Sequence, residues 1–443
     1  MLLLTLVVVF VAVSTRVAAD PPPGPSCGNS TANQGHRNLL YVTNWGIYGA
    51  GYNPDDIPVD DISHVLYAFA DIQPNGTVVS SDPWADTGKP FGNDSTKEPG
   101  NNAYGLVKQL YLKKMANRHM KVILSIGGYT YSPKFAPVAA NDTLRANFVS
   151  SAVNLVADWG MDGIDLDWEY PNTTETNVDC VKMLTELRRG LDDYSAKHAQ
   201  GYHFILGFAA PAGPQNYQAF NLGAMDKALD FWSLMAFDFA GPWDNTTGHQ
   251  SNVFGNKANP LSTKASIDRA IDDYASGGVA PGKINLGMPL YGRAFSKTRG
   301  LGEPYSGVPN GTLGQPGIVL YKDLPRPGSE VRFDEKAMAS YSYDDDAREL
   351  VSFDDRKSAR FKQAYIKKKN LGGAMFWEAT GDKSGCESLV RNMAAGLGRL
   401  EESPNLLSYP VSKYDNIRNG MKSDRLCQGP KDESKSVSRG DGV

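Results

Sequence analysis

Met161-Asp162-Gly163-Ile164-Asp165-Leu166-Asp167-Trp168-Glu169-Tyr170 decides how this chain is read. Apolar and acidic residues alternate along it, and a period of two is the pattern of a β-strand. Successive side chains of a strand point to opposite faces. Asp165, Asp167 and Glu169 therefore share one face, and Ile164, Leu166 and Trp168 share the other. Neighbours on the acidic face lie roughly 6–7 Å apart, from the rise per residue. Three carboxyls that close in a poorly hydrated place cannot all ionise, because like charge and desolvation both favour the protonated form. A solvated face would tolerate them, but this strand is flanked by apolar segments and ends in Trp-Glu-Tyr. The column reads as a device that holds a proton for use.

Around that strand the chain alternates strand and helix. Apolar strand candidates are Leu39–Trp45, His64–Asp71, Lys121–Gly128, Gly163–Tyr170, His203–Ala210, Phe231–Ala240, Ile284–Arg293 and Gly372–Ala379. Helical patterns fall at Ala103–His119, Asp142–Trp159, Asn177–His198, Thr263–Ser276 and Phe361–Lys369, with Glu387–Gly396 closing the series. Eight strands alternating with helices predict an α/β fold, a parallel (β/α)8 TIM barrel. Catalytic groups in that fold come from the C-terminal ends of strands, which is where Glu169 falls. Residues 38–293 and 354–420 are assigned to the barrel. Between its last two strands, 294–353 turn to Gly, Pro, Tyr and Ser with short alternating pieces such as Val331–Phe333 and Leu350–Phe353. A structureless loop of that length is uncommon in a compact domain, so a small α+β insertion is expected there.

The remaining composition narrows the class. The 443 residues are 41% hydrophobic and 21% charged, with a net charge of −4, which gives no reason to expect nucleic acid or an anionic membrane as partner. Leu2 to Val13 is an apolar run too short to span a bilayer, followed by Val17-Ala18-Ala19; residues 1–19 read as a signal peptide and imply secretion. Residues 20–37 form a Pro-, Ser- and Asn-rich lead-in, and 428–443 a polar, disordered tail. Seven Asn-x-Ser/Thr sites, at Asn29, Asn75, Asn93, Asn141, Asn172, Asn245 and Asn310, agree with a secreted glycoprotein. Cys27, Cys180, Cys386 and Cys427 allow three pairings, which the sequence does not separate. Neither they nor the six histidines have metal-ligand spacing, so no metal or other cofactor is expected. Nothing specifies an oligomer, and a monomer is expected.

The spacing Asp162-x-x-Asp165-x-Asp167-x-Glu169 resembles the D-x-x-D-x-D-x-E signature of family 18 glycoside hydrolases, the chitinases and their relatives. The likeness runs from about Leu39 to about Arg418, and is greatest to secreted fungal-type endochitinases. An insertion before the last strand marks their deep-cleft subgroup. The resemblance implies hydrolysis of β-1,4 bonds between N-acetylglucosamine units of chitin, with chitin and chitooligosaccharides as partners. Glu169 would protonate the leaving glycosidic oxygen, while the substrate's own 2-acetamido carbonyl attacks the anomeric carbon to give an oxazolinium ion. Asp167 would orient the acetamido group, Asp165 would share a proton with Asp167, and Asp162 would be structural. The configuration at the anomeric carbon would be retained.

Other matches lie at strand ends. Ser125-Ile126-Gly127-Gly128 closes the third strand and leads into Tyr129, where relatives commonly carry Trp. Met235-Ala236-Phe237-Asp238 closes the sixth, and Met288-Pro289-Leu290-Tyr291-Gly292-Arg293 the seventh. Phe376-Trp377-Glu378 closes the eighth, and Trp377 would be the apolar floor under the sugar whose bond is cut. Tyr41, Phe69 and Tyr170 complete the expected pocket wall. One departure matters: relatives usually have Tyr at the position of Phe237, and its hydroxyl bonds the reacting acetamido oxygen. Phe keeps the shape and loses the donor, so a slowed enzyme is expected. The alternatives are a chitin-binding lectin without catalysis and an endo-β-N-acetylglucosaminidase acting on N-linked glycans.

Overall fold

The computed structural model describes residues 35–92 and 94–421. The signal-peptide reading, most of the lead-in, the tail, Cys27, Cys427, Asn29 and Asn93 lie outside the described residues. The strands are, in chain order, β1 (Arg37–Thr43), β2 (His64–Ile72), β3 (Val78–Ser80), β4 (Lys121–Gly127), β5 (Gly163–Asp167), β6 (Ile205–Pro211), β7 (Phe231–Met235), β8 (Ile284–Pro289), β9 (Tyr291–Phe295), β10 (Ile318–Leu320), β11 (Glu330–Asp334), β12 (Ala339–Asp344), β13 (Glu349–Ser352) and β14 (Gly373–Trp377). β1, β2, β4, β5, β6, β7, β8 and β14 pair in parallel in that cyclic order, and β14 pairs back to β1. The sheet is the closed eight-stranded barrel expected from the sequence. Its strands are nearly continuous apolar runs because a parallel barrel is covered on both faces.

The two faces sort as the alternation requires. Ile164, Leu166 and Trp168 pack outward in the large core between barrel and helices, where Trp168 stacks on Phe135 with ring centroids 5.3 Å apart. Leu39, Tyr41, Leu66, Ile123, Ile205, Phe231 and Met375 fill the barrel interior in a smaller cluster. The helix Asp142–Trp159 opens where expected, capped by the Asn141 side chain accepting from Thr143 and Leu144 N–H. The helices Thr174–His198 and Arg356–Lys368 start three and five residues before their apolar periods, because their first turns are polar and are set by the caps Thr173 and Asp355.

The strands depart from their sequence-expected bounds mainly at the barrel's upper rim. The run read as one strand, Ile284–Arg293, is two. β8 ends at Pro289, Leu290 N–H donates to Trp377 O at 2.7 Å, and β9 leaves the barrel for a second sheet. That sheet is antiparallel, in the order β10-β9-β13-β12-β11, with Ala240, Phe295, Tyr343 and Leu350 as its own core. Its regular structure besides strands consists of single 3-10 turns, so the helical half of the α+β expectation is not met between 294 and 353. Gly and Pro recur there too often for a helix to propagate. The buried Gln250 side chain ties the second sheet to the barrel loops: its Nε2 donates to Tyr291 O at 2.7 Å and Ser352 O at 3.0 Å.

β7 also stops early, at Met235 rather than Ala240. Ala236 N–H turns back to Leu234 O at 2.8 Å, and Asp238 takes a left-handed φ of 60°, which Asp tolerates better than most residues. Among the described residues, no helix is long and apolar enough to cross a membrane. Cys180 is buried and Cys386 exposed, neither in a disulfide with a described residue. Asn75, Asn141, Asn172, Asn245 and Asn310 are all exposed.

Candidate active site

β5 delivers the acids. Asp165 and Asp167 point into the barrel, fully or nearly buried. Asp165 Oδ2 accepts from Tyr41 Oη and Ser125 Oγ, both at 2.7 Å. Its other oxygen and Asp167 Oδ1 are buried without a hydrogen-bond partner. Two bare ionised oxygens would be costly there, and a proton on the pair removes the cost. Burial pushes the Asp165 carboxyl up to about 6 against the bonds from Ser125 and Tyr41. Burial, then the charges of Glu169 and Asp165, holds Asp167 well above the usual carboxylate range.

Glu169 departs from the sequence reading in one respect. The ladder ends at Asp167, paired with Gly127, so Glu169 lies past the strand rather than on it. Its N–H donates to Ser132 Oγ at 2.7 Å. Burial raises its carboxyl, and Asp238 adds to this, while the Tyr170 hydroxyl and the Tyr129 backbone favour the ionised form and hold it back. The turn that receives it needs its glycines. A Cβ on Gly127 would lie 2.3 Å from Asp167 O, and one on Gly128 2.6 Å from the Phe69 ring, at φ of 110° and 75°. The close approach at both is by the protein's own chain.

Above the acids lies a cavity of about 800 Å³. Asp167, Glu169, Tyr170, Gly127, Gly128, Tyr129, Phe69, Met235, Phe237, Asp238, Tyr291, Arg293 and Trp377 all line it. Tyr41 and Asp165 do not; they lie beneath, and Tyr41 acts as a support, not as wall. The Trp377 ring rests edge-on against Tyr41 at 5.1 Å and stacks on Phe69 at 5.7 Å, with 23° between the latter planes. Tyr291 and Arg293 come from β9, not from the barrel. Arg293 Nε donates to Asp238 Oδ1, its Nη2 pairs with Oδ2, and Tyr291 Oη donates to Oδ1, each at 2.7 Å. The expected sugar-binding arginine is thus committed first to Asp238, as a bidentate pair.

Sequence reasoning missed Trp45, Thr130, Tyr131, Gln215, Asn216 and Trp243, which line the same cavity. Trp243 is 60% exposed and lies over the Arg293 guanidinium, 4.9 Å from ring centroid to Cζ. Its signal was an aromatic in the turn Gly241-Pro242-Trp243, shortly beyond a strand end; Trp45 follows β1 in the same way. Among the described residues, no group of three or more His, Cys, Asp or Glu is arranged to hold a metal ion.

Asp165 carries a stability signature with a definite sign. Its unfolded pKa is about 3.9, and its folded value is raised to about 6. The native state therefore binds more protons between those values. The stability this gives is fully present below pH 4 and lost as pH rises through 6. Asp165→Asn should raise the melting temperature at pH 7 relative to its effect at pH 4, by about 2 °C or more. A melting difference constant across that range would contradict the shared-proton reading.

A barrel whose mouth gathers proton-bearing carboxyls under an aromatic-walled cavity has the build of an acid-catalysed hydrolase. The chain belongs to family 18 of the glycosyl hydrolases, whose family model matches residues 37–382. It is 47% identical over 417 residues to "Endochitinase 1" of Metarhizium robertsii, covering 94% of this chain and 98% of that one. It is 45% identical over 410 residues to "Chitinase 1" of Aphanocladium album, covering 93% and 97%. Among solved structures it resembles the catalytic domain of the psychrophilic chitinase B from Arthrobacter TAD20, with TM-score 0.76 and 27% identity over 84% of this chain and 98% of that one.

Proposed function

We propose that this chain is an endochitinase, hydrolysing β-1,4 bonds between N-acetylglucosamine units of chitin and chitooligosaccharides with retention at the anomeric carbon. The observation that carries the reading is the column Asp165–Asp167–Glu169 rising from the barrel interior into the aromatic cavity. Relatives named as chitinases at 45–47% identity support the substrate class.

Each group has a role that its environment suits. Glu169, held protonated by burial, gives its proton to the leaving glycosidic oxygen and recovers one from the water that completes hydrolysis. The substrate's 2-acetamido carbonyl closes on the anomeric carbon as the bond to the leaving oxygen breaks. Asp167 accepts from the acetamido N–H and stabilises the cationic ring, and Asp165, fixed by Tyr41 and Ser125, takes up the proton the pair shares. Trp377, propped by Tyr41 and Phe69, offers an apolar face to the sugar. Action outside the cell as a monomer fits this reading. The chain needs no cofactor for this chemistry, because substrate and carboxyls supply the nucleophile and the proton.

Phe237 is the one feature that favours a second reading, a lectin that binds chitooligosaccharides and turns over slowly or not at all. It lines the cavity beside Tyr291, with centroids 6.3 Å apart, and offers no hydrogen-bond donor. Loss of one such donor costs about 10²–10³ in turnover. Phe237→Tyr should therefore raise kcat on a chitin tetramer about tenfold or more. The deciding experiment is hydrolysis of that tetramer by the parent chain, with product sizes and anomeric form followed over time. Cleavage to retained products supports the enzyme. Tight binding without cleavage, in the parent and in Phe237→Tyr alike, leaves the lectin.

A further inference from the structure

We propose that Ser132 is a positioning residue for Glu169: its hydroxyl, in the turn after β4, fixes the acid's backbone where β5 no longer does. The inference rests on Glu169 being the proton donor, as proposed above.

Glu169 stands two residues past Asp167, the last residue of β5. Beyond that point no sheet register fixes the chain, yet proton transfer to a glycosidic oxygen demands a carboxyl placed to a fraction of an ångström. The turn Gly128–Ser132 supplies the missing constraint. Gly128 N–H donates to Asp167 O at 2.8 Å, joining the turn to the end of β5. Ser132 N–H and Ser132 Oγ both donate to Gly128 O at 3.0 Å, closing the turn on itself. The same Oγ accepts Glu169 N–H at 2.7 Å. Tyr129, in the same turn, lines the same cavity as Glu169. One five-residue turn thus holds the acid's backbone through Ser132 and contributes Tyr129 to the cavity that its carboxyl enters. Ser132 is 4% exposed and does not line the cavity, so it acts on substrate only through Glu169.

The charged and titratable surroundings of Glu169 fix the expected sign. Asp165 and Asp167 lie below it on β5, Tyr170 follows it, and Asp238 faces it from the loop after β7, itself bonded to Tyr291 and Arg293 of β9. The Tyr129 backbone, in that turn, favours the ionised form of the carboxyl. Slackening the turn weakens that influence, so Glu169 keeps its proton to higher pH.

The test is the pH profile of chitin-tetramer hydrolysis by Ser132→Ala, Ser132→Cys and Ser132→Thr, beside the parent and Glu169→Gln. Cys keeps the volume and is a weak acceptor, and Thr keeps the hydroxyl. We expect kcat to fall about 10–100-fold in Ala and Cys, with KM within about threefold and the alkaline limb moved up by about half a pH unit. Thr should recover the parent's limb. An alkaline limb unmoved in both Ala and Cys, with any loss of rate matching a loss of folded protein, would overturn the inference while a dead Glu169→Gln leaves the proposed function standing. Full activity in Glu169→Gln would bring down both.

Discussion

Glu169→Gln should abolish useful hydrolysis of a chitin tetramer, lowering kcat by about 10²–10⁴, the range attached to a general acid. Gln is nearly the same size, so the cavity and its affinity for oligomers should survive. The amide has no acidic proton to give the leaving oxygen. Its oxygen keeps the neighbourhood of the Tyr170 hydroxyl and the Tyr129 backbone, which favour the ionised carboxyl in the parent. KM or the oligomer dissociation constant should therefore change by less than about threefold, and the loss should lie in kcat alone. Isothermal binding of the tetramer to the variant, beside single-turnover hydrolysis, separates the two. A variant that still cleaves at a tenth of the parent rate or better would mean that another group carries the proton.

The second large effect concerns stability rather than chemistry. Asp162 is completely buried and satisfies four donors. Oδ2 accepts Val122 N–H and pairs with Lys114 Nζ, both at 2.8 Å, and Oδ1 accepts Leu406 N–H at 2.9 Å and Tyr202 Oη at 3.1 Å. One carboxylate so ties β4, the helix Gly105–Ala116, the segment leading into β6 and the segment around Leu406 beneath the catalytic strand. Asp162→Asn keeps the shape but strands the Lys114 ammonium, whose proton is already disfavoured by burial and is retained through Asp162. Breaking a buried pair from one side costs about 3–5 kcal/mol. The midpoint of denaturant unfolding should fall accordingly, while kcat per folded molecule stays within about threefold of the parent. A cost below about 1 kcal/mol would show that Lys114 simply deprotonates and that the pair adds little. The two acids at opposite ends of one short motif thus fail in different ways, Glu169 in rate and Asp162 in folding.

The legible part of this molecule was the part governed by local periodicity. The alternation in Gly163–Asp167 assigned acids and apolar groups to the right faces, and eight apolar runs separated by helices were enough for the barrel. The rim was less legible, because a strand ends where its neighbours stop pairing, and neighbours are distant in sequence. Trp168-Glu169-Tyr170 keeps alternating after the ladder has gone. Leu290 to Arg293 stays apolar enough to read on, although the chain has changed sheets there. Ser132 carried no signal at all, since a serine in a turn looks the same whether or not an acid leans on it. The exposed aromatics Trp45 and Trp243 would have been found by asking which residues follow each strand's C-terminal end, rather than which residues close it.

The passage from β8 to β9 through Leu290 alone has a mechanical consequence. The wall that carries Tyr291 and Arg293 continues from a barrel strand with one residue between them, and Gln250 rivets that junction through Tyr291 O and Ser352 O. The width of the slot is then a property of the barrel's register, like the gap of a fixed jaw. On that footing the groove is cut to size before any sugar arrives, and lengthening or shortening the Leu290 link should alter its calibre.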